Sequence, residues 1–234
     1  MLIPSIDLMG GKIVQLVQGE AKAYESSDFD SWCERFAGFP LVQLIDLDAA
    51  KREGDNRPLL AKLLKRLPCQ VGGGVRDIEN AKALLALGAR RVILGSSLIR
   101  EGKADVAFAE TLASECGIDS IVAAIDTKGG RVAVRGWREA TLLTAEEMIY
   151  ALEPFVSGYL YTHVDTEGML AGFPFERAQS LRAITARNLI AAGGIRSQEE
   201  IDALDAIRVD AVVGMAIYTG KLAVHPSPRQ WGTK

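Results

Sequence analysis

Eight short runs of apolar residues punctuate the chain and predict strands at Leu2–Ile6, Val42–Asp46, Cys69–Val71, Arg91–Leu94, Ser120–Ile125, Gly158–Thr162, Asn188–Ala192 and Asp210–Val213. Most are apolar at nearly every position rather than at alternate ones, the pattern of strands covered on both faces in a parallel sheet. The stretches between them read as amphipathic helices. Asp77 stands as N-cap before a pattern running through Leu87 to a stop at Gly88. Thr144 and Glu147 form a capping box ahead of Met148, Ile149 and Leu152, and Ser197 and Glu200 form another ahead of Ile201 and Leu204. Phe29, Trp32 and Phe36 share helical spacing and are expected to face the core. Eight strands alternating with helices fit either a closed barrel or a doubly wound sheet.

An internal repeat chooses between them. The segment from Ile6 to Ile13 (IDLMGGKI) aligns with Ile125 to Val132 (IDTKGGRV), an offset of 119 residues. VGGGVR, from Val71, matches AAGGIR, from Ala191, and the run Val92–Gly95 matches Ala211–Gly214. Three motifs kept in order at offsets of 119, 120 and 119 residues make two halves of four βα units each, about 1–118 and 119–234. Half a barrel would leave open sheet edges, and no Pro/Ser-rich linker separates the halves. The expectation is therefore one α/β domain over 1–234, a (β/α)8 TIM barrel with a twofold half-barrel repeat.

Composition narrows the function without choosing it. Of the 234 residues 48% are hydrophobic and 24% charged, enough for a large core, and a net charge of −3 offers no general field for nucleic acid. Three separated cysteines (Cys33, Cys69, Cys116) and two histidines (His163, His225) give no metal-ligand pattern, so no metal is expected and the thiols read as reduced and buried. The first residues lack the basic and apolar regions of a signal peptide, and no run approaches a membrane span. A cytoplasmic protein bound to neither membrane nor nucleic acid is expected.

The repeat also marks the chemistry. Asp7 and Asp126 fall at the carboxyl ends of strands 1 and 5, across the barrel from each other, at the end where such barrels bind their ligands. One aspartate there can simply cap a loop. Two at equivalent positions facing one mouth can act as base and acid if their environments separate their pKa values. Gly73 and Gly74 after strand 3, Gly95 and Ser96 after strand 4, Gly193 and Gly194 after strand 7, and Gly214 after strand 8 are candidate phosphate-binding positions, because glycine lets backbone N–H groups approach an anion. Arg76 can reach phosphate or pair with Asp77; Arg196 can do the same or pair with Glu199. The implied partner is a small molecule with a phosphate at each end. Asp46 and Asp48 read as loop-orienting residues, and His163 as a satisfied histidine rather than a ligand.

IPSIDLMGGKIVQLVQGE, LIDLDAA, VGGGVR, ILGSS, AAIDTKGGRVAVRGW, TEGMLAG, AAGGIR and VVGMAIYTG, in this order over nearly the whole chain, resemble the histidine-biosynthesis isomerase family. That family acts on phosphoribosylformimino-aminoimidazole carboxamide ribotide (ProFAR). The related cyclases are less similar: they have Cys-x-Asp where this chain has Ser5-Ile6-Asp7. The resemblance implies a cofactor-free Amadori rearrangement; a barrel of this type is expected to be a monomer. Asp126 would be the general acid that helps open the ribose ring, Asp7 the general base that takes the C2 proton, and Thr162 an assisting residue. Trp137 would stack on the imidazole of the substrate, or else pack on the barrel rim. The chain departs from the family at Gln15 and Gln43, where arginine and histidine are common, at Met215, where lysine or arginine is frequent, and at His163, where aspartate is usual. Those positions leave open a preference for phosphoribosylanthranilate, alone or alongside ProFAR. A paralogue that binds a bisphosphorylated ligand without turning it over is the remaining alternative, and the two aspartates argue against it.

Overall fold

The computed structural model describes residues 1–223. His225 lies outside them. Eight parallel strands pair in sequence order: β1 (Leu2–Met9), β2 (Val42–Asp46), β3 (Cys69–Gly72), β4 (Arg91–Leu94), β5 (Ile121–Lys128), β6 (Gly158–His163), β7 (Asn188–Ala192) and β8 (Val209–Val213). The β4–β5 pairing (Val92 opposite Ile121) and the β8–β1 pairing (Ala211 opposite Leu2) leave no edge, so the sheet is a closed barrel. A doubly wound sheet is thereby excluded.

The apolar runs are nearly continuous because each strand has two buried faces. Leu2, Ile6 and Leu8 of β1 pack outward against the helices, whereas Ile3 joins Ile93, Val122, Leu160, Ile190 and Val212 inside the barrel. The two-residue period then puts Ser5 and Asp7 on the inner face above Ile3, rising towards the mouth. Part of the interior is polar. Arg91 donates to Gln70 Oε1 at 2.6 Å, and Gln70 Nε2 donates to Gln43 Oε1 at 2.9 Å, following the register of β4, β3 and β2. Gln43 is thus committed to a buried ladder below the mouth. Burial of the Arg91 guanidinium draws its pKa down to about 9, opposed by Asp210.

The helix signals behave as the local chemistry requires. Asp77 accepts from the N–H of Asn80 at the start of the helix Ile78–Ala86. Thr144 and Glu147 form both bonds of their capping box. The second box closes only halfway: Ser197 accepts from Glu200 N–H, but Glu200 turns to the backbone N–H and Nε of Arg196. Trp32 and Phe36 are buried on the helix Phe29–Phe36, with Phe29 packed at its margin. Cys33 and Cys69 are free and buried, whereas Cys116 is only half-buried, a departure from the expectation for all three.

Two hairpins extend the mouth beyond what the apolar runs predict. After β1 the chain returns as Lys12–Val17 and Ala21–Ser26, and after β5 as Arg131–Val134 and Glu139–Ala140. Each follows a Gly-Gly turn, Gly10-Gly11 or Gly129-Gly130, so the repeat extends to loop architecture. Each turn is also held alike: Asp48 Oδ2 accepts from Gly10 N–H at 2.6 Å, and Asp165 Oδ2 from Gly129 N–H at 3.0 Å.

Candidate active site

Asp7 and Asp126 project into the mouth from opposite staves of the barrel, and the same burial acts on both. Desolvation pushes the Asp7 carboxyl up to about 6, against a 2.8 Å hydrogen bond donated by Ser5 Oγ to Oδ1. Desolvation likewise raises Asp126, opposed by Trp137 and Thr162. Trp137 Nε1 donates to Asp126 Oδ2 at 2.9 Å, and Thr162 stands opposite Asp126 in the β5–β6 register. The repeat is therefore broken around the carboxyls: Ala124 stands where the first half has Ser5, and Ile45 lies opposite Asp7 where Thr162 lies opposite Asp126.

A third carboxyl completes the cluster. Glu167, in the loop after β6, is pushed up to about 8 by desolvation first and then by the negative charges of Asp7 and Asp126. A carboxyl that feels both aspartates lies between them in the electrostatic sense and holds its proton at neutral pH. Its loop is tied on three sides. Gln18 N–H donates to the Glu167 carbonyl at 3.2 Å, Asp165 holds Gly129, and Thr166 Oγ1 donates to the Gly193 carbonyl at 3.0 Å. His163, 23% exposed at its side chain, bonds Thr166 Oγ1 through Nδ1 at 2.9 Å, so it is satisfied as expected. Sequence patterns did not single out Glu167. Its signal lay in TEGMLAG, where the first-half counterpart LDAAK has alanine.

Gly73 and Gly193 have φ of +91° and +106°, and a Cβ there would lie 2.2 Å from the Asp46 carbonyl oxygen and 2.4 Å from that of His163. Each glycine thus exists first to let its loop pack on the preceding one. Gly74 and Gly194 repeat the arrangement against Ala49 and Thr166. Arg76 belongs to the same packing, since its Nη2 donates to the carbonyls of Ala49 and Ala50 at 2.9 and 2.8 Å. Arg196 pairs with Glu200 rather than Glu199. Asp46 accepts from Ala49 N–H and from Asn56, the loop role expected of it.

The other two glycines differ from each other. A Cβ at Gly95 would make only ordinary contact with Ala124, 3.6 Å from its Cβ, and Ser96 Oγ accepts from Arg135 N–H at 3.3 Å. Gly214 is roofed by the buried Gln15 side chain, whose Oε1 would lie 2.2 Å from a Cβ there. Met215 is buried at the start of the turn that follows.

Trp137 is half-buried and reaches inward from the second hairpin rather than standing free in solvent. Arg135, Gly136 and Trp137 are all left-handed, with φ of 53°, 66° and 67°. Two of these are not glycine, at a cost of about 1–2 kcal/mol each, so the loop is strained in the conformation that delivers the indole to Asp126. The ring also covers Gly19 in the first hairpin, where a Cβ would lie 3.1 Å from it. The two hairpins thus meet over the mouth.

Among the described residues no group of three His, Cys, Asp or Glu side chains is close enough to hold a metal, and no helix is long and apolar enough to cross a membrane. The arrangement can move protons between carboxyls in a desolvated mouth, with glycine-rich loops on opposite sides.

A sequence profile of the family described as histidine biosynthesis protein matches residues 1–223. Three relatives named 1-(5-phosphoribosyl)-5-((5-phosphoribosylamino)methylideneamino)imidazole-4-carboxamide isomerase are similar over almost their full lengths. The protein of Methanocaldococcus jannaschii is 37% identical, the alignment covering 94% of each chain. That of Thermus thermophilus is 35% identical, with 94% of this chain and 95% of the relative covered. That of a Synechococcus strain is 34% identical, with 99% and 90% covered. With its barrel closed in the order the repeat requires and its length shared with these isomerases, the chain belongs to the histidine biosynthesis protein family.

Proposed function

We propose that this protein isomerises ProFAR, an aminoaldose, to the corresponding aminoketose by acid–base catalysis between opposed carboxyls. The observation that carries the reading is the pair Asp7 and Asp126, equivalent in the repeat, both desolvated at one mouth, yet contacted by different partners. An Amadori rearrangement needs a proton given to the ring oxygen as the ribose opens. It then needs a proton taken from C2 of the protonated Schiff base to give the enaminol, and one returned at C1 as the C2 hydroxyl loses its proton and becomes the carbonyl. The product is an isomer, so no external oxidant or reductant enters, and positioned acid and base groups suffice.

Asp7, at about 6, is largely ionised at neutral pH and takes the C2 proton. Asp126 gives the proton that opens the ring, oriented by Thr162 on the neighbouring strand. One observation favours a second assignment of the acid: Glu167 keeps its proton up to about 8 and faces both aspartates. Loss of turnover in Glu167→Gln with Asp126→Asn still active would move the role to Glu167.

The loops carrying Gly73, Gly74, Gly95 and Ser96 take one phosphate, and those carrying Gly193, Gly194 and Gly214 the other, which suits a bisphosphorylated substrate. Arg76, whose guanidinium holds the loop carrying Gly74, shapes the first site. Trp137 leaves Asp126 to stack on the imidazole. We further read the protein as a cytoplasmic monomer that needs no cofactor, consistent with its free cysteines and its net charge of −3.

Purified protein should convert ProFAR. Phosphoribosylanthranilate, offered separately, tests for a second substrate. Tight binding of ProFAR without conversion of either compound would make the protein a binder and overturn the enzymatic reading.

A further inference from the structure

We infer that Ser5 is a positioning residue for Asp7: its hydroxyl holds Oδ1 of the carboxylate from below, so that Oδ2 is the oxygen turned to the substrate proton. The inference rests on Asp7 being the base. Ser5 and Asp7 are two residues apart on β1 and share the inner face of the barrel, with Ser5 one layer deeper and buried. The 2.8 Å bond from Ser5 Oγ is the one hydrogen bond donated to the Asp7 side chain among the described residues.

The serine is itself fixed from outside the barrel. Tyr218 donates its hydroxyl to the Ser5 carbonyl at 3.0 Å, and its ring is wedged between Trp32 (centroids 4.2 Å apart) and Tyr24 (4.9 Å). Tyr24 lies in the first hairpin and Trp32 in the helix Phe29–Phe36, so three elements converge on the backbone of one residue beneath the base.

The second half of the barrel has nothing similar. Ala124 occupies the position of Ser5, and Asp126 is contacted instead by Trp137 and by Thr162 of the neighbouring strand. A duplicated barrel with identical surroundings would give its two carboxyls identical acidity and could not divide base from acid. Ser5 supplies part of that difference. A buried hydroxyl donating to a carboxylate favours its ionised form, the form a base must have. What opposes that form is burial of the carboxyl; the ionisable groups facing it, Glu167 from the loop after β6 and Tyr218 from the turn after β8, are kept protonated by the Asp7 charge and so add none of their own, and Asp126 across the mouth acts on Glu167 in the same sense.

The test is the pH profile of kcat/KM for Ser5→Ala, with Ser5→Cys as a variant that keeps a weak donor. Loss of a hydrogen bond to a charged group is expected to move the acid limb up by about one pH unit in Ser5→Ala, and by less in Ser5→Cys. Above that limb, activity should return to within a few-fold of the parent. A carbon-13 titration of the Asp7 carboxyl should show the same displacement without any turnover. An unmoved limb, or a loss uniform across pH, would overturn the role of Ser5 while Asp7→Asn remained inactive. Full activity in Asp7→Asn would instead remove the base assignment on which the inference stands.

Discussion

Replacing Glu167 by glutamine keeps the shape of the side chain and removes its charge, so it isolates what holding a half-buried carboxyl within the field of two aspartates costs. In the folded protein this carboxyl is held to about 8, against an ordinary value near 4.5. At about 1.36 kcal/mol per pH unit, that difference sets a ceiling of roughly 5 kcal/mol on the stability it removes at high pH. The sign follows from proton counting. Between 4.5 and 8 the unfolded chain has released the proton and the folded chain retains it, so unfolding releases a proton and stability falls as pH rises. The effect is absent below about 4.5, grows through neutrality and levels off above about 8. Asp7, raised to about 6, adds a smaller loss of the same sign at lower pH. Urea unfolding followed by circular dichroism from pH 5 to 9 should therefore show the midpoint of Glu167→Gln holding up at the alkaline end while that of the parent declines. The variant should gain most of its advantage between about pH 5 and pH 8. Parallel curves would refute the idea that Glu167 is desolvated in the field of the two aspartates.

Gly193→Ala, which drives a Cβ into the His163 carbonyl, should cost about 3 kcal/mol or more, whereas Gly10→Ala, with nothing within 4 Å of its Cβ, should cost only about 1 kcal/mol. Thermal melts that rank them otherwise would contradict the loop-packing role. Trp137→Phe removes the indole N–H from Asp126 and should raise the pKa of that carboxyl by one to two units, on the basis of about 1.5–3 kcal/mol for a charged hydrogen bond. With Asp126 as the acid, the alkaline limb of kcat/KM should then move upward. An unchanged limb would mean that the indole contact is not made in the free enzyme, whose acidities kcat/KM reports.

Much of the architecture is written in local pattern. All eight barrel strands follow from apolar runs, because a strand buried on both faces has few polar positions to confuse the period. The repeat then fixes closure. The hairpins after β1 and β5 were not legible in this way, since their strands mix exposed and buried positions and pair only with each other and with strand ends. The aspartates could be found because symmetry repeats them. Glu167 and Ser5 could not, because each belongs to one half only and its meaning comes from what stands across the mouth or one layer above. The glycines were legible as special positions. Their reason is different from the one their spacing suggests: Gly73 and Gly193 are set first by the carbonyls of the preceding loops.

The most direct test of the account is the turnover of ProFAR by Asp7→Asn and Asp126→Asn beside the parent protein, with folding checked by circular dichroism. Positioned acid–base groups are worth about 10²–10⁴ in rate. Each variant should therefore lose at least about a hundredfold in kcat while keeping its fold and its affinity for the substrate. Turnover within a few-fold of the parent in both variants would contradict catalysis by the opposed aspartates.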